Sequence, residues 1–393
     1  MPAIANRVAA FSTTIFTQIN QLAAAHGAVN LGQGAPDFPP PPFVMAALER
    51  ALSTPHHQYA PGPGYPELQA AIATHAERFY GQTLQEPGRQ VLLTTGATEG
   101  IFATMQGLLN PGDEVIVFEP FYDSYIPSIL FAGGIPRYIP LRAPDWRFDP
   151  DELRALFTPK TRMIIINTPH NPTGKVYDRA ELELIAQLCQ TYDALAMTDE
   201  VYEHILFDEA QHLRLATLPG MEDRTITLSS LGKTFSTTGW KIGWAIGHPD
   251  LITGIWRARQ FMSFAVASVL QWAAIEILQH TPSDYLPSLG ASYQAKRDYL
   301  SGALAATPLK PLHAEGGYFL MADTSALGLA DDRACAEYLI QELGVATIPP
   351  SAFYCAEHKP LAAHLLRFSL CKTDQTLAAA VARLQHLKGQ THV

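Results

Sequence analysis

The chain has 393 residues, 47% of them hydrophobic and 16% charged, and a formal net charge of -10. That length suggests two domains around a sizeable core, and so few charges suggest a surface partly covered by a partner chain. The acidic balance works against nucleic-acid binding, which needs clustered Lys and Arg, and no apolar run approaches the roughly 18 residues of a membrane span.

In chain order, the segment up to Pro36 contains no Asp or Glu, as transit peptides do. Arg7 is its only Arg, however, so it reads as an ordered arm. "FPPPPF" (Phe38 to Phe43) cannot be helix interior, because Pro lacks the N–H and clashes with the preceding turn. It reads as a stiff crossing into the main body. "QVLLTT" is then a strand, "GATEGIFATMQGLL" a helix closed by "NPGD", and "EVIVFEP" and "RMIIINTP" two further strands. "DRAELELIAQLCQTY" is an amphipathic helix, followed by the strands "ALAMTDE", "RTITLSS" and "KIGWAIG". Continuous apolar strands separated by helices predict a parallel or mixed sheet buried on both faces. From about Pro282 a long helix leads into a region of fewer, shorter strands, "GYFLMAD", "VATIP" and "LLRFSL", which reads as a second domain. Cys189, Cys335, Cys355 and Cys371 show no CxxC pairing, which points to a reduced, cytoplasmic setting.

The stretch "SSLGKTFSTTGWKIGW" carries Lys233 and Lys241 on one Gly-rich loop. A P-loop would need a glycine where Thr227 stands, inside the strand "TITL", so that reading fails. "GQGAPD" and "GPGYPE" likewise fall short of a dinucleotide fingerprint. Lys233 instead lies just past a strand end, at the rim where open α/β sheets bind ligands. An amine there becomes a nucleophile once an apolar pocket or a neighbouring cation lowers its pKa, and Lys241 is a candidate cation. On this loop alone, two ordinary solvated lysines remain an open alternative.

Other strand ends narrow the choice. Asp199 closes an apolar strand, and a carboxylate there is costly unless a cation pairs with it. "TTGATEG" places Gly96, Ala97 and Thr98 at a strand-to-helix turn, where free N–H groups and the helix dipole favour a phosphate. "NTPHNPTGK" puts Asn171 near the same rim, and Arg367 is a lone cation in "LLRFSL" that calls for a carboxylate. A phosphate site, a partner for a ring nitrogen, a reactive lysine and a carboxylate clamp together describe pyridoxal phosphate chemistry on an amino acid.

With "NLGQGAPDFPPP", "HQYAPGPGYPELQAAIA", "EPFYDSY", "TDEVYEH" and "GGYFLMAD" added, these motifs span Asn30 to Leu370. The chain resembles a class I/II aminotransferase of the pyridoxal-phosphate-dependent fold type I, and within it the methionine and kynurenine/glutamine transaminase branch. The resemblance implies a large α/β domain with a mostly parallel seven-stranded sheet flanked by helices, plus a smaller α/β domain. The expected division is an N-terminal arm (1–35) joining the small domain, a large cofactor-binding domain (36–281) and a small C-terminal domain with the interdomain helix (282–393). Implied roles are Lys233 as the covalent attachment point and proton carrier, Asp199 at the ring nitrogen, and Tyr202 and Asn171 at the ring's phenolic oxygen. Tyr122 would stack on the ring. Gly96, Ala97, Thr98, Ser230 and Lys241 would hold the phosphate, joined by Tyr59 from the neighbouring subunit of a homodimer with shared sites. Many relatives carry Arg where Lys241 stands, and Lys offers a point charge in place of a bidentate contact. Arg367 would clamp the substrate carboxylate, with Gly34 beside it and Asn171 within reach.

Phe16, Phe264 and Phe353 suggest a pocket for sulfur-containing or aromatic side chains, with core or interface packing as the plain alternative. The expected reaction moves an amino group from such an amino acid to a 2-oxo acid by a ping-pong route. The nearest rival is a cysteine-conjugate or cystathionine β-lyase on the same fold. A cofactor-sensing regulator is disfavoured by the short arm and the negative charge. No H-x-x-x-H or Cys/His cluster signals a metal, and His170 and His204 read as loop hydrogen-bonding residues.

Overall fold

The computed structural model describes residues 4–9 and 11–387. The ends of the predicted arm and of the C-terminal segment lie outside the described residues. The strands are β1 (Val29–Asn30), β2 (Val91–Thr95), β3 (Glu114–Glu119), β4 (Ile135–Pro140), β5 (Thr161–Asn167) and β6 (Leu195–Asp199). They continue with β7 (Thr225–Ser230), β8 (Ile242–Ile246), β9 (Lys310–Pro311), β10 (Phe319–Asp323), β11 (Val345–Ala346) and β12 (Leu365–Ser369).

Seven of them form one sheet in the order β2-β8-β7-β6-β5-β3-β4, parallel except for β8, which runs antiparallel to both neighbours. This is the mostly parallel seven-stranded sheet expected. Its inner strands are almost wholly apolar because helices cover both faces. β3 and β6 are buried along their whole length. The covering helices start where local chemistry dictates. Arg179–Thr191 opens with a capping box, in which the Asp178 carboxylate accepts from the Glu181 N–H and the Glu181 carboxylate from the Asp178 N–H. Pro66–Tyr80 begins with Pro at a position that needs no N–H donor and stops at Gly81, whose φ is 66°.

Two segments show what the strand pattern leaves out. "IPRYIP" carries two prolines and yet forms β4, an edge strand where the prolines at 136 and 140 interrupt no central ladder. The proline run ends as a helix start, Pro42–Leu52, with Pro41 at the cap.

The C-terminal third builds the three-stranded antiparallel sheet β12-β10-β9, reached through the 21-residue helix Tyr285–Ala305. β1 of the arm pairs in parallel with β11, tying the N-terminal segment to this region. No helix among the described residues is long and apolar enough to cross a membrane.

Candidate active site

Register brings the polar strand ends together. Asn167 at the end of β5 lies opposite Asp199 at the end of β6, and Asp199 lies opposite Leu228 of β7, which ends two residues later at Ser230. Ser230 is opposite Gly243 of β8, and Ile242 is opposite Thr95 at the end of β2. One rim of the sheet therefore presents Gly96, Lys241, Ser230, Asp199 and Asn167 side by side. They line a cavity of about 350 Å³ together with Phe16, Gly34, Ala97, Thr98, Tyr122, Asn171, Tyr202, Lys233 and Arg367.

Lys233 is half-buried in the short helix Leu231–Thr234 that follows β7, where its Nζ donates to the Gly34 carbonyl at 3.2 Å and lies over the rings of Tyr202 and Tyr318. Burial lowers its pKa; Arg367 and Lys241 act in the same direction, while Cys371 and Asp199 oppose. Lys241 is thus a contributor, and desolvation the larger cause. Asp199 is buried. Its Oδ2 accepts from the Tyr125 hydroxyl at 2.8 Å, its Oδ1 has no partner, and burial pushes its pKa up to about 6.

The turn between β2 and the helix Gly96–Leu108 is shaped by glycine. Gly96 has φ 70°, and a Cβ there would lie 3.0 Å from Lys241 Cε and Nζ. Glycine thus lets the ammonium rest against the first turn of this helix, whose leading N–H groups have no intrahelical acceptor. A Cβ on Gly243 would come 2.6 Å from Gly96 C and 2.7 Å from Ala97 N, so its absence lets β8 pack against that turn.

Arg367, 1% exposed, sits mid-strand in β12 opposite Met321 of β10. It donates to Asn171 Oδ1 at 3.0 Å and to the Gly32 carbonyl at 2.7 Å, and its guanidinium lies 4.0 Å over the Phe319 ring. Its Nε has no partner, and burial lowers its pKa to about 10. The carbonyl beside Arg367 is Gly32, whereas Gly34 faces Lys233.

Phe16 lines the cavity, and Phe353 is buried behind it, 5.7 Å from the Phe16 ring. Phe264 and Tyr59 are not brought into the cavity of their own chain. They pack edge-to-face on each other, 55% and 84% exposed. A Phe264 pocket contact within one chain is therefore not what the fold provides. Tyr125, Asn167, Thr238 and Phe319 also belong to the neighbourhood, and the sequence motifs assign them no role. Tyr125 had a signal, since it stands in the quoted "EPFYDSY" one helical turn past Tyr122.

Of the two histidines, His170 bonds Thr173 within its loop at 2.8 Å, as expected, whereas His204 reaches out of its turn to His75 on the helix Pro66–Tyr80, also at 2.8 Å. Among the described residues the fold assembles three groups of potential metal-ligating side chains that spacing did not reveal. Their carboxylates already have partners: Glu200 and Glu203 pair with Arg214, and Glu119 accepts from His358.

These features fit one cofactor. The buried unpartnered Asp199 Oδ1 suits a protonated ring nitrogen, the Gly96 turn with Lys241 suits a phosphate, and the desolvated Lys233 amine suits an aldehyde.

The family description "Aminotransferase class I and II" matches residues 26–384. Kynurenine–oxoglutarate transaminase of Dictyostelium discoideum is 39% identical over 97% of this chain and 96% of its own. The solved structure of N-succinyldiaminopimelate aminotransferase from Mycobacterium tuberculosis is 42% identical, with TM-score 0.94 over 98% of this chain and 100% of that one. The YbdL structure from Escherichia coli, identified with a methionine aminotransferase function, is 38% identical, with TM-score 0.94 over the same shares.

Proposed function

The chain belongs to the class I and II aminotransferases, enzymes dependent on pyridoxal 5'-phosphate, and from that premise we propose that it takes amino groups from methionine-like and aromatic amino acids. The observation that carries the substrate class is the cation count of the cavity. Among the described residues lining it, the cations are Lys233, Lys241 and Arg367. Cofactor attachment, phosphate and substrate α-carboxylate use all three, so this chain's own lining leaves none for an acidic side chain. The remaining wall is formed by Phe16, Ile101, Tyr122 and Phe319, which suits an uncharged thioether or ring.

When bound, the cofactor supplies an electron-withdrawing ring that stabilises negative charge at the substrate α-carbon. Arg367 and Asn171 orient the substrate by its carboxylate, a charge-assisted contact to a buried guanidinium. Lys233, its amine kept unprotonated more readily by burial, takes the α-proton and later returns a proton as general acid. Asp199 would keep the ring nitrogen protonated, and Tyr202 and Asn171 would face the ring's phenolic oxygen. Gly96, Ala97, Thr98, Ser230 and Lys241 would hold the phosphate, and Tyr122 would cover the ring face. The neighbouring names of kynurenine and methionine transaminases support this donor class. We further place the protein as a homodimer in the cytoplasm, with Tyr59 and Phe264 entering the second subunit's site.

The test mixes cofactor-loaded protein with single amino acids, without oxo acid, and follows the cofactor's visible band. Methionine and kynurenine should discharge it and a 2-oxo acid restore it, while Lys233→Ala does neither. Fast discharge by N-succinyl-diaminopimelate or aspartate, with methionine and kynurenine inert, overturns the substrate class.

A further inference from the structure

Tyr125 opens the helix Tyr125–Phe131, on the same turn as Tyr122. Its ring is buried and stands at 82° to that of Tyr122, 5.7 Å away. The Tyr125 hydroxyl donates to Asp199 Oδ2, and Asp199 Oδ1 is left without a partner in a residue that lines the cavity. The two carboxylate oxygens are therefore divided between the phenol and whatever the cavity binds.

Building on the cofactor-site reading, we infer that Tyr125 is a positioning residue: it fixes the Asp199 carboxylate with Oδ1 free for the cofactor's ring nitrogen and, by donating to Oδ2, keeps the shared proton on the ring. A hydrogen bond to the ionised form makes a carboxylate a weaker base. The groups facing Asp199 are Lys233 after β7, Glu200 next in the chain, and the phenols of Tyr122, Tyr125 and Tyr202. Burial dominates and favours the neutral acid; the Tyr125 hydrogen bond is the strongest influence against it, followed by the Val201 backbone N–H and then Lys233, while Glu200 sides with burial. Burial holds the Tyr125 phenol well above its usual pKa, so it stays a donor throughout the working range.

Tyr125→Phe removes the hydroxyl and keeps the ring. Cofactor-free parent and variant, labelled with 13C-aspartate, are titrated, and the Asp199 carboxyl signal is assigned by its loss in Asp199→Asn. The midpoint, about 6 in the parent, should rise by about one unit or more in Tyr125→Phe, a roughly tenfold gain in proton affinity. Pyridoxal phosphate affinity, read from the absorbance of the titrated cofactor-free protein, should fall about ten- to a hundredfold. In an Asp199→Asn background the same change should alter affinity by less than about threefold, as expected when two residues act through one contact. An unmoved midpoint overturns the inference, and so does an equal affinity loss in both backgrounds. A parent that binds no pyridoxal phosphate overturns the cofactor site itself, and the carboxyl titration still decides the Tyr125–Asp199 coupling.

Discussion

Asp199 shows how a single residue trades stability for chemistry. Its folded pKa of about 6 lies above the usual carboxylate value of about 3.9. The native state thus holds this proton more tightly than the unfolded chain. Stability from this group is present at low pH, declines as pH rises through that window, and stays low above it. Asp199→Asn should therefore raise the melting temperature of cofactor-free protein at pH 7.5, the gain shrinking towards pH 4, while cofactor affinity falls. A lower melting temperature at both pH values would show that the carboxylate is net stabilising. Lys233, Asp199 and Arg367 could be read from the sequence because a charge in an apolar strand context needs a reason. Asn167 could not, since an amide looks the same whether it faces a site or a helix neighbour, and for Tyr125 the motif "EPFYDSY" marks the place but not the carboxylate it holds.

At the scale of elements, close approach is set by glycines whose need is invisible until two segments meet. Gly243→Ala would push a methyl into the backbone at Gly96 and Ala97, moving β8 from the turn proposed to hold phosphate. Gly107→Ala would meet the Gly254 carbonyl at 2.5 Å, where the helices Gly96–Leu108 and Pro249–Arg259 cross. Overpacking of this kind costs about 1–3 kcal/mol, so both variants should lose stability in a urea titration. Only Gly243→Ala should also weaken cofactor binding by tenfold or more, about 1.4 kcal/mol. Equal affinity in the two variants would dissociate the β8 contact from the phosphate site. The missed strand β4 teaches the same point from the other side. Its prolines argue against a strand in isolation, and only its edge position makes them harmless.

For the whole molecule, Phe261 is 87% exposed, and Tyr59 and Phe264 stand exposed against each other. The charge-poor composition and this apolar exposure both support the proposed dimer. Phe261→Asp would bury an unpaired charge in such an interface and should shift sedimentation towards single chains, with transaminase activity falling alongside. Two-chain sedimentation with full activity would place the interface elsewhere.

The order of motifs from Asn30 to Leu370 by itself determined the fold family, the cofactor and the identity of the charged residues, because strand ends, glycine turns and isolated charges are written locally. Tertiary structure alone decided that Tyr125 holds Asp199, that His75 meets His204, and that Arg367 takes the Gly32 carbonyl. It also set Tyr59 and Phe264 outside the cavity of their own chain. Each of these joins residues far apart in sequence or fixes a side chain's direction. Sheet register and helix packing settle such questions, and no local pattern encodes them.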